Sequence, residues 1–418
     1  MAYIWLITVG ESLPIGNNKI WKTAMLAKLL SENNNVIRWT SSFDHQQKEY
    51  LCNKNVKVKI TDKWSRYFLH SETPYYKNVS FSRIKNHREV AYNFEQEAQK
   101  TPVPELIYCS FPTIELAFSA VRYGEKNNIP VIVDVRDLWP DIFLDLMPSF
   151  IQSLGKLLLK KSLNKTAYIF KKAYGITGVS KKYLDFGLKY ANREKTNRDG
   201  VFPLGYEDGA KLKFGEKDLE ELKHLKIDPN KINVWFVGSF GKTYDLSLII
   251  KAANKISKKH PDVNFIFTGD GENMSKWKKE ANALKNIIFT GWGGKKEIQY
   301  LSENSNIGLM AYAKGAPQGL PNKLFEYMAS GLPILSSLQT ETKDLLEDEQ
   351  IGLTYLADSS ESFIIELEKL LLNVNELQEM AKRSRQVFEN NFRSEIIYKN
   401  LTEYIENQLQ ESIIFKKK

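Results

Sequence analysis

Residues 317–337 read PQGLPNKLFEYMASGLPILSS and set three prolines and two glycines around one carboxylate, Glu326. The preceding run SNIGLMAYA (305–313) reads as a strand, the stretch to Pro321 as a loop, NKLFEYMAS as a helix and LPILSS as another strand. Asn322 is placed to cap the helix, and Gly331 with Pro333 to end it. A helix entered this way points its free N–H groups past the strand ends, where ligands bind in open α/β sheets. With Lys323 beside it, that terminus is an anion site. Glu326 completes no capping box, since Lys323 rather than Ser or Thr stands three residues earlier. A carboxylate beside a phosphate site commonly accepts hydrogen bonds from ribose hydroxyls; its plain alternative is to complement the helix dipole.

The same alternation fills the chain. YIWLITVG, NVIRWTS, VKVKIT, ELIYCSF, IPVIVDVRD and AYGITGVS read as strands in the first half, several followed by helical patterns such as KTAMLAKLLSEN. INVWFVGS, VNFIFTGD, NIIFTGW, SNIGLMAY and LPILSS repeat the pattern in the second. Strand–helix alternation implies a parallel sheet covered by helices, once in each half. The fold class expected is α/β, with two Rossmann-like doubly wound domains. The charged, non-periodic stretch around Val201–Asp208 is the expected linker, which gives domains of 1–200 and 201–389.

The chain has 418 residues, 42 % of them hydrophobic, as in a folded protein with large cores. Cys52 and Cys109 stand alone, without CxxC or Cys/His clusters, which points to a reducing compartment and away from structural zinc. No apolar run is long enough to span a bilayer. Residues 1–200 hold 30 Lys+Arg and 19 Asp+Glu, a balance of +11; the chain totals of 59 and 50 leave 29 and 31, or −2, for the rest. A basic half beside a near-neutral one fits a domain facing an anionic surface, with solvated lysines as the plain alternative. The segment 154–175 places Lys156, Lys160, Lys161, Lys165, Lys171 and Lys172 among Leu, Ile, Tyr and Phe. It reads as a basic amphipathic helix able to lie on anionic lipid. No aromatic-basic stacking motif accompanies the charge, so nucleic acid is not an expected partner.

Three more glycine turns follow strands of the second half: FVGSFGKTYDL (236–246), FTGDGE (267–272) and FTGWGG (289–294). The first is not a P-loop, since Phe236 stands where GxxxxGK[ST] needs glycine. Gly238, Gly241 and Gly269 still let backbone approach a diphosphate, with Lys242 as a neutralising charge and Trp292 as a wall for the base. Gln318, Gly319, Leu320, Pro321, Asn322, Lys323 and Glu326, at the head of the helix in 317–337, complete a nucleotide-diphosphate cleft. In the first half, VDVRDLWPD places Arg136 and Asp137 at a strand end, and WTSSFDHQQ places Asp44 and His45 at another. Arg136 and Asp137 have a surface ion pair as their plain alternative. Gly16, Asn17 and Asn18, after the first strand, are further candidates as backbone and amide donors, with Asp44 and His45 facing the same cleft. No DxD occurs, so a metal-independent reaction without cofactors is expected.

Taken together, the 317–337 stretch, the turns at 236–246 and 267–272, DVRDLWPD and WTSSFDH resemble the retaining GT-B glycosyltransferases of family 4 over nearly the whole chain. The resemblance is strongest to bacterial enzymes of O-antigen and capsule assembly of the N-acetyl-L-fucosamine transferase type. It implies two domains facing each other across a cleft, the nucleotide sugar on the C-terminal one and the acceptor on the N-terminal one. It also implies a last helix, from about 390 to 418, that crosses back to the N-terminal domain. Family 4 often carries two glutamates eight positions apart; Glu326 matches the second, and Gln318 stands at the first. The implied activity is transfer of an N-acetylated amino or deoxy sugar from UDP to a polyprenyl-diphosphate-linked glycan, at the inner face of the cytoplasmic membrane. Arg136, Asp137, His45, Lys242 and Glu326 are the candidate catalytic residues. A non-hydrolysing nucleotide-sugar epimerase of the same fold, or a non-catalytic partner subunit, are the alternatives.

Overall fold

Alternation inside the first strand sets the layers of the first sheet. In β1 (Tyr3–Ile7), Trp5 and Ile7 face one hydrophobic core and Ile4 and Leu6 the other, as in a strand covered on both faces. The computed structural model describes residues 1–11, 21–77, 80–145, 147–208, 211–316 and 318–416, with side chains to 412. The chain divides into two compact units, residues 1–204 with 397–418, and residues 205–396.

The first unit adds β2 (Asn35–Ser41), β3 (Val56–Lys59), β4 (Trp64–Leu69), β5 (Leu106–Phe111), β6 (Val131–Val135), β7 (Gly175–Gly178) and β8 (Gly200–Val201). Their order is β3-β4-β2-β1-β5-β6-β7-β8. Its helices are α1 (Lys22–Leu30), α2 (Phe81–Ala98), α3 (Ile114–Asn127), α4 (Asp141–Asp145), α5 (Gln152–Lys172) and α6 (Lys181–Ala191). All the pairings are parallel except β3 with β4. This departs from the purely parallel sheet expected. β3 is an edge strand with Lys57, Val58 and Lys59 exposed, so no covering helix forces it into the parallel array.

The second unit contains α7 (Glu216–Leu222), β9 (Ile232–Val237), α8 (Leu246–Lys259), β10 (Val263–Thr268), α9 (Met274–Glu280), β11 (Ile287–Gly291) and α10 (Lys295–Glu303). It continues with β12 (Ile307–Met310), α11 (Asn322–Ala329), β13 (Ile334–Ser336), α12 (Glu341–Asp348), β14 (Gly352–Thr354), α13 (Ser360–Leu371) and α14 (Val374–Asn391). The sheet is parallel throughout, in the order β11-β10-β9-β12-β13-β14. The strand order reverses between β9 and β12, the topological switch point where open α/β sheets bind ligands. The last helix, α15 (Ser394–Lys416), belongs to the first unit from Ile397 on. There Leu401, Ile405 and Leu409, spaced four apart on one face, pack with Ile4, Leu6 and the α1 residues Leu26 and Leu30.

Candidate functional site

The switch point of the second sheet is shaped by one tyrosine. β9 and β12 pair through only two positions, Val234 with Ile307 and Trp235 with Gly308. The Tyr327 ring packs against Gly308, where a Cβ would lie 2.6 Å from it, so any larger residue there would displace the ring. Its hydroxyl accepts from the Val237 amide (3.1 Å) and lies 3.0 and 3.1 Å from the Trp235 and Leu309 carbonyls. The backbone groups left by the parting strands are thereby satisfied, and α11 is anchored with its N-terminus at the opening.

That helix is nearly all core. Lys323, Leu324, Phe325, Tyr327, Met328 and Ala329 are buried, while Asn322, Glu326 and Ser330, four apart, form the accessible stripe. Asn322 is not the cap. Pro321 takes the extended N-cap conformation (φ −75°, ψ 154°), so helical dihedrals begin at Asn322 and its exposed side chain makes no cap hydrogen bond. At the other end, Arg385 of α14 donates to the Ala329 carbonyl, to Asp208 and to Glu389, which fixes the last turn of α11 against the start of the unit.

The glycine turns stack against one another. Gly238 N–H donates to Thr268 O (3.0 Å), Phe240 N–H to Asp270 O (2.8 Å) and Gly269 N–H to Gly291 O (2.8 Å). A Cβ on Gly269 would fall 1.8 Å from the Gly238 carbonyl, so this glycine serves the packing of the two turns. At Gly241 a Cβ would meet nothing within 4 Å, and Lys242 beside it is exposed.

Glu326 and Trp292 line one cavity of about 440 Å³, with Tyr206, Asp208, Lys211, Gly293, Gly294, Gln299 and Ser330 among its walls. Trp292 is 79 % exposed, an unusual state for an indole and an open face for stacking. Tyr206, Asp208, Lys211, Tyr327 and Arg385 escaped the sequence reading. Beneath the first turn, Lys323 is buried with no hydrogen-bond partner for Nζ among the described residues. Nζ sits 4.1 Å from the Phe236 ring centre and 4.8 Å from that of Tyr244. Gln318 lies outside this cavity wall; its carbonyl accepts from Thr340 Oγ1 (2.8 Å), and the Gly319 carbonyl accepts from Thr342 Oγ1 (2.5 Å). Leu320 and Pro321 are half-buried and lead directly into α11.

In the first unit, Arg136 does not pair with Asp137 on the surface. It joins a buried network with Glu11 and Asp134, which also take Arg38, Lys22, Thr23 and Thr177 as donors. Burial pushes the Asp134 carboxyl up, but the Lys22 and Arg136 charges outweigh it and hold it at about 2. The reverse balance raises Arg136. His45 Nδ1 lies 2.8 Å from the Tyr75 hydroxyl, and burial with nearby Arg83 and Lys48 lowers the imidazole to about 4. It is neutral at physiological pH. Arg83 stacks over both Tyr75 (5.5 Å) and Trp139 (4.8 Å) and faces Asp137, whose carboxyl burial raises. His45 and Asp137, from separate strand ends, thus share a cluster with Tyr75, Arg83, His87 and Trp139, none of which the motifs singled out. Asp44 holds the turn ahead through the Gln46 and Gln47 amides (2.8 and 2.9 Å). Gly16, Asn17 and Asn18 lie outside the described residues.

On α5, Thr166, Ile169 and Phe170 are buried, whereas Leu154, Leu157 and Leu158 are exposed beside Lys156, Lys160 and Lys161. Phe150, just ahead of the helix, is 84 % exposed. Lys165 and Lys172 approach Glu115 (4.0 Å) and Glu125 (2.6 Å), and Lys171 is exposed.

Residues 218–387 match the family described as glycosyl transferases group 1. Over 198 residues the chain is 25 % identical to spore coat protein SA of Bacillus subtilis, covering 45 % of this chain and 52 % of that one. It is 33 % identical over 106 residues to the putative teichuronic acid biosynthesis glycosyltransferase TuaH of the same organism, 24 % and 25 % of the two chains. It is 22 % identical over 189 residues to the putative colanic acid biosynthesis glycosyltransferase WcaL of Escherichia coli, 44 % and 47 %. The chain spans about half the length of these curated relatives, or less. Among solved structures, Anabaena HepE in complex with UDP superposes with a TM-score of 0.66 at 12 % identity, covering 97 % and 100 % of the chains. Sucrose-phosphate synthase from Thermosynechococcus elongatus does so with 0.69 at 14 %, covering 98 % and 100 %. The fold is therefore GT-B, with two Rossmann-like α/β domains.

Proposed function

We propose that this protein is a retaining glycosyltransferase of bacterial surface-polysaccharide synthesis, of the family 4 type. It takes a sugar from a nucleoside-diphosphate donor, UDP foremost, held by the second unit, and passes it to a polyprenyl-diphosphate-linked glycan held by the first. The observation that carries this reading is the cavity of the second unit in which Glu326, with Ala329 and Ser330 further along α11, meets an open Trp292 face and the Gly293–Gly294 turn. The group 1 match over 218–387 coincides with that unit, a structural neighbour holds UDP, and two relatives are named for surface polysaccharides.

In this reading Trp292 stacks on the base and Glu326 accepts from the ribose hydroxyls. As the bond from the anomeric carbon to the diphosphate stretches, negative charge gathers on the leaving phosphate. Lys242, Lys323 and the free N–H groups of α11 stabilise it without a metal, as do the Ser239 and Gly241 amides, since those of Gly238 and Phe240 are held by the neighbouring turn. The Gln318 amide meets a hydroxyl of the donor sugar. In the first unit Arg136, locked by Glu11 and Asp134, orients the acceptor together with neutral His45 and Asp137. The exposed leucines and lysines of α5 rest on anionic lipid at the inner face of the cytoplasmic membrane. The transfer is tested by release of free nucleoside diphosphate when nucleotide sugars are mixed with lipid-linked acceptors. Glu326→Ala and Lys242→Ala sharply slow that release if the assignment holds; release unchanged in both variants sinks it.

A further inference from the structure

Lys323 is the second residue of α11, and it turns inward. Its ammonium has three N–H bonds to give and makes none among the described residues, at a site where an unmade bond to a charged group is costly. Room for it exists because residue 238 is glycine: a Cβ there would stand 2.6 Å from Nζ. The amine therefore lies directly under the turn on which an anion would rest.

The groups around Lys323 are few. Its own helix contributes Glu326, the β9–α8 connection the Tyr244 phenol, and the segment just past β12 contributes Tyr312, whose ring lies 4.8 Å from that of Tyr244. β9 supplies Phe236 and Gly238, neither of which titrates. Burial lowers the amine to about 7, with the Glu326 carboxylate pulling the other way. In the free protein near neutral pH the site is thus divided between amine and ammonium.

We propose that Lys323 binds the diphosphate of the donor and becomes fully cationic in doing so, drawing a proton from solvent onto Nζ as the nucleotide enters. This rests on the donor-site reading above. The sign follows from linkage: an anion placed over Gly238 raises the lysine's pKa, so affinity is full below about pH 7 and declines above it. Between the free and bound values the loss approaches tenfold per pH unit.

The test is calorimetry of UDP binding to the full chain at about pH 7.5 and 8.5, each in Tris and in HEPES, with GDP and dTDP run alongside. UDP's own terminal phosphate, ionising near ~6, is fully charged over that range. The expected result is a buffer-dependent enthalpy that reports uptake approaching one proton at the higher pH, with Kd rising several-fold to about tenfold. Lys323→Arg, permanently charged, should bind without uptake, and Lys323→Met should bind more weakly and without pH dependence. Equal enthalpies in both buffers with a flat Kd overturn the inference and leave the donor site standing. Uptake that survives in Lys323→Met overturns it by placing the proton elsewhere. Failure of all three nucleotides to bind overturns both this and the donor-site reading.

Discussion

Glu326 and Lys323 are neighbours on one short helix with opposite exposures, and this divides their tasks. The carboxylate faces the cavity and the ammonium hides beneath the turn. Replacing Glu326 with Ala removes charge-assisted hydrogen bonds of about 1.5–3 kcal/mol, so UDP titrations should show roughly 10- to 100-fold weaker binding. Lys242→Ala should spare the fold, since the residue is exposed, and reduce turnover by about 10²–10³ in the nucleoside-diphosphate release assay. The buried network that locks Arg136 in the first unit also carries stability. Asp134→Asn leaves Lys22 and Arg136 without their shared carboxylate and should cost about 3–5 kcal/mol in urea unfolding. Because the Asp134 pKa is held at about 2 against ~3.9 unfolded, its contribution is present above pH ~4. It is lost as pH falls towards 2, so wild type and variant should converge in acid. Glu326 and Trp292, which share a cavity wall, were legible together because loops between strand and helix advertise themselves with Gly and Pro, whereas Lys242, legible on the same signal, is exposed away from that wall. The cage around Lys323 was not: Phe236 and Tyr244 are 87 and 79 residues away from it, and nothing local marks that contact.

Tyr327 shows what an element needs in order to point at a ligand. Its hydroxyl ties α11 to β9 and β12 where the strands separate, and Gly308 makes room for its ring. Tyr327→Phe should destabilise the protein by about 1–3 kcal/mol in thermal unfolding, because the Val237 amide is left unpaired. In sequence it is one aromatic residue inside an apolar helix and reads as core, which it is; its hydroxyl role depends on two strands that no spacing reveals. The capping of α11 shows a related limit. Asn322 is a good cap by residue type, but Pro321 ahead of it already holds the extended conformation, which shifts the helix start by one residue. On α5 the lysines were visible in the sequence, whereas the outward turn of Leu154, Leu157 and Leu158 required the packing of Thr166, Ile169 and Phe170 to fix the rotation. Replacing Leu157 and Leu158 with Asp should leave the melting temperature nearly unchanged, as both are exposed, and remove the protein from floating phosphatidylglycerol vesicles. Flotation equal to wild type would mean that this face does not carry the membrane contact.

At the scale of the whole molecule, strand–helix alternation was enough to expect two doubly wound sheets, because buried parallel strands read as continuous apolar runs. The strands that escaped are those that lack such runs: β4 with its interior Ser65 and Arg66, two-residue β8 and three-residue β14. The division of the chain falls at Leu204 and again at Ile396, with α15 returning to the first unit. In the proposed function the second unit binds a nucleotide sugar through Glu326. A thermal-shift panel of UDP-, GDP- and dTDP-sugars on wild type and Glu326→Ala tests it most directly, since a ligand bound only to the native state raises the melting temperature. A rise is expected with one nucleotide class, UDP foremost, in wild type and little or none in Glu326→Ala. No rise with any of the three, or equal rises in the two proteins, would contradict it.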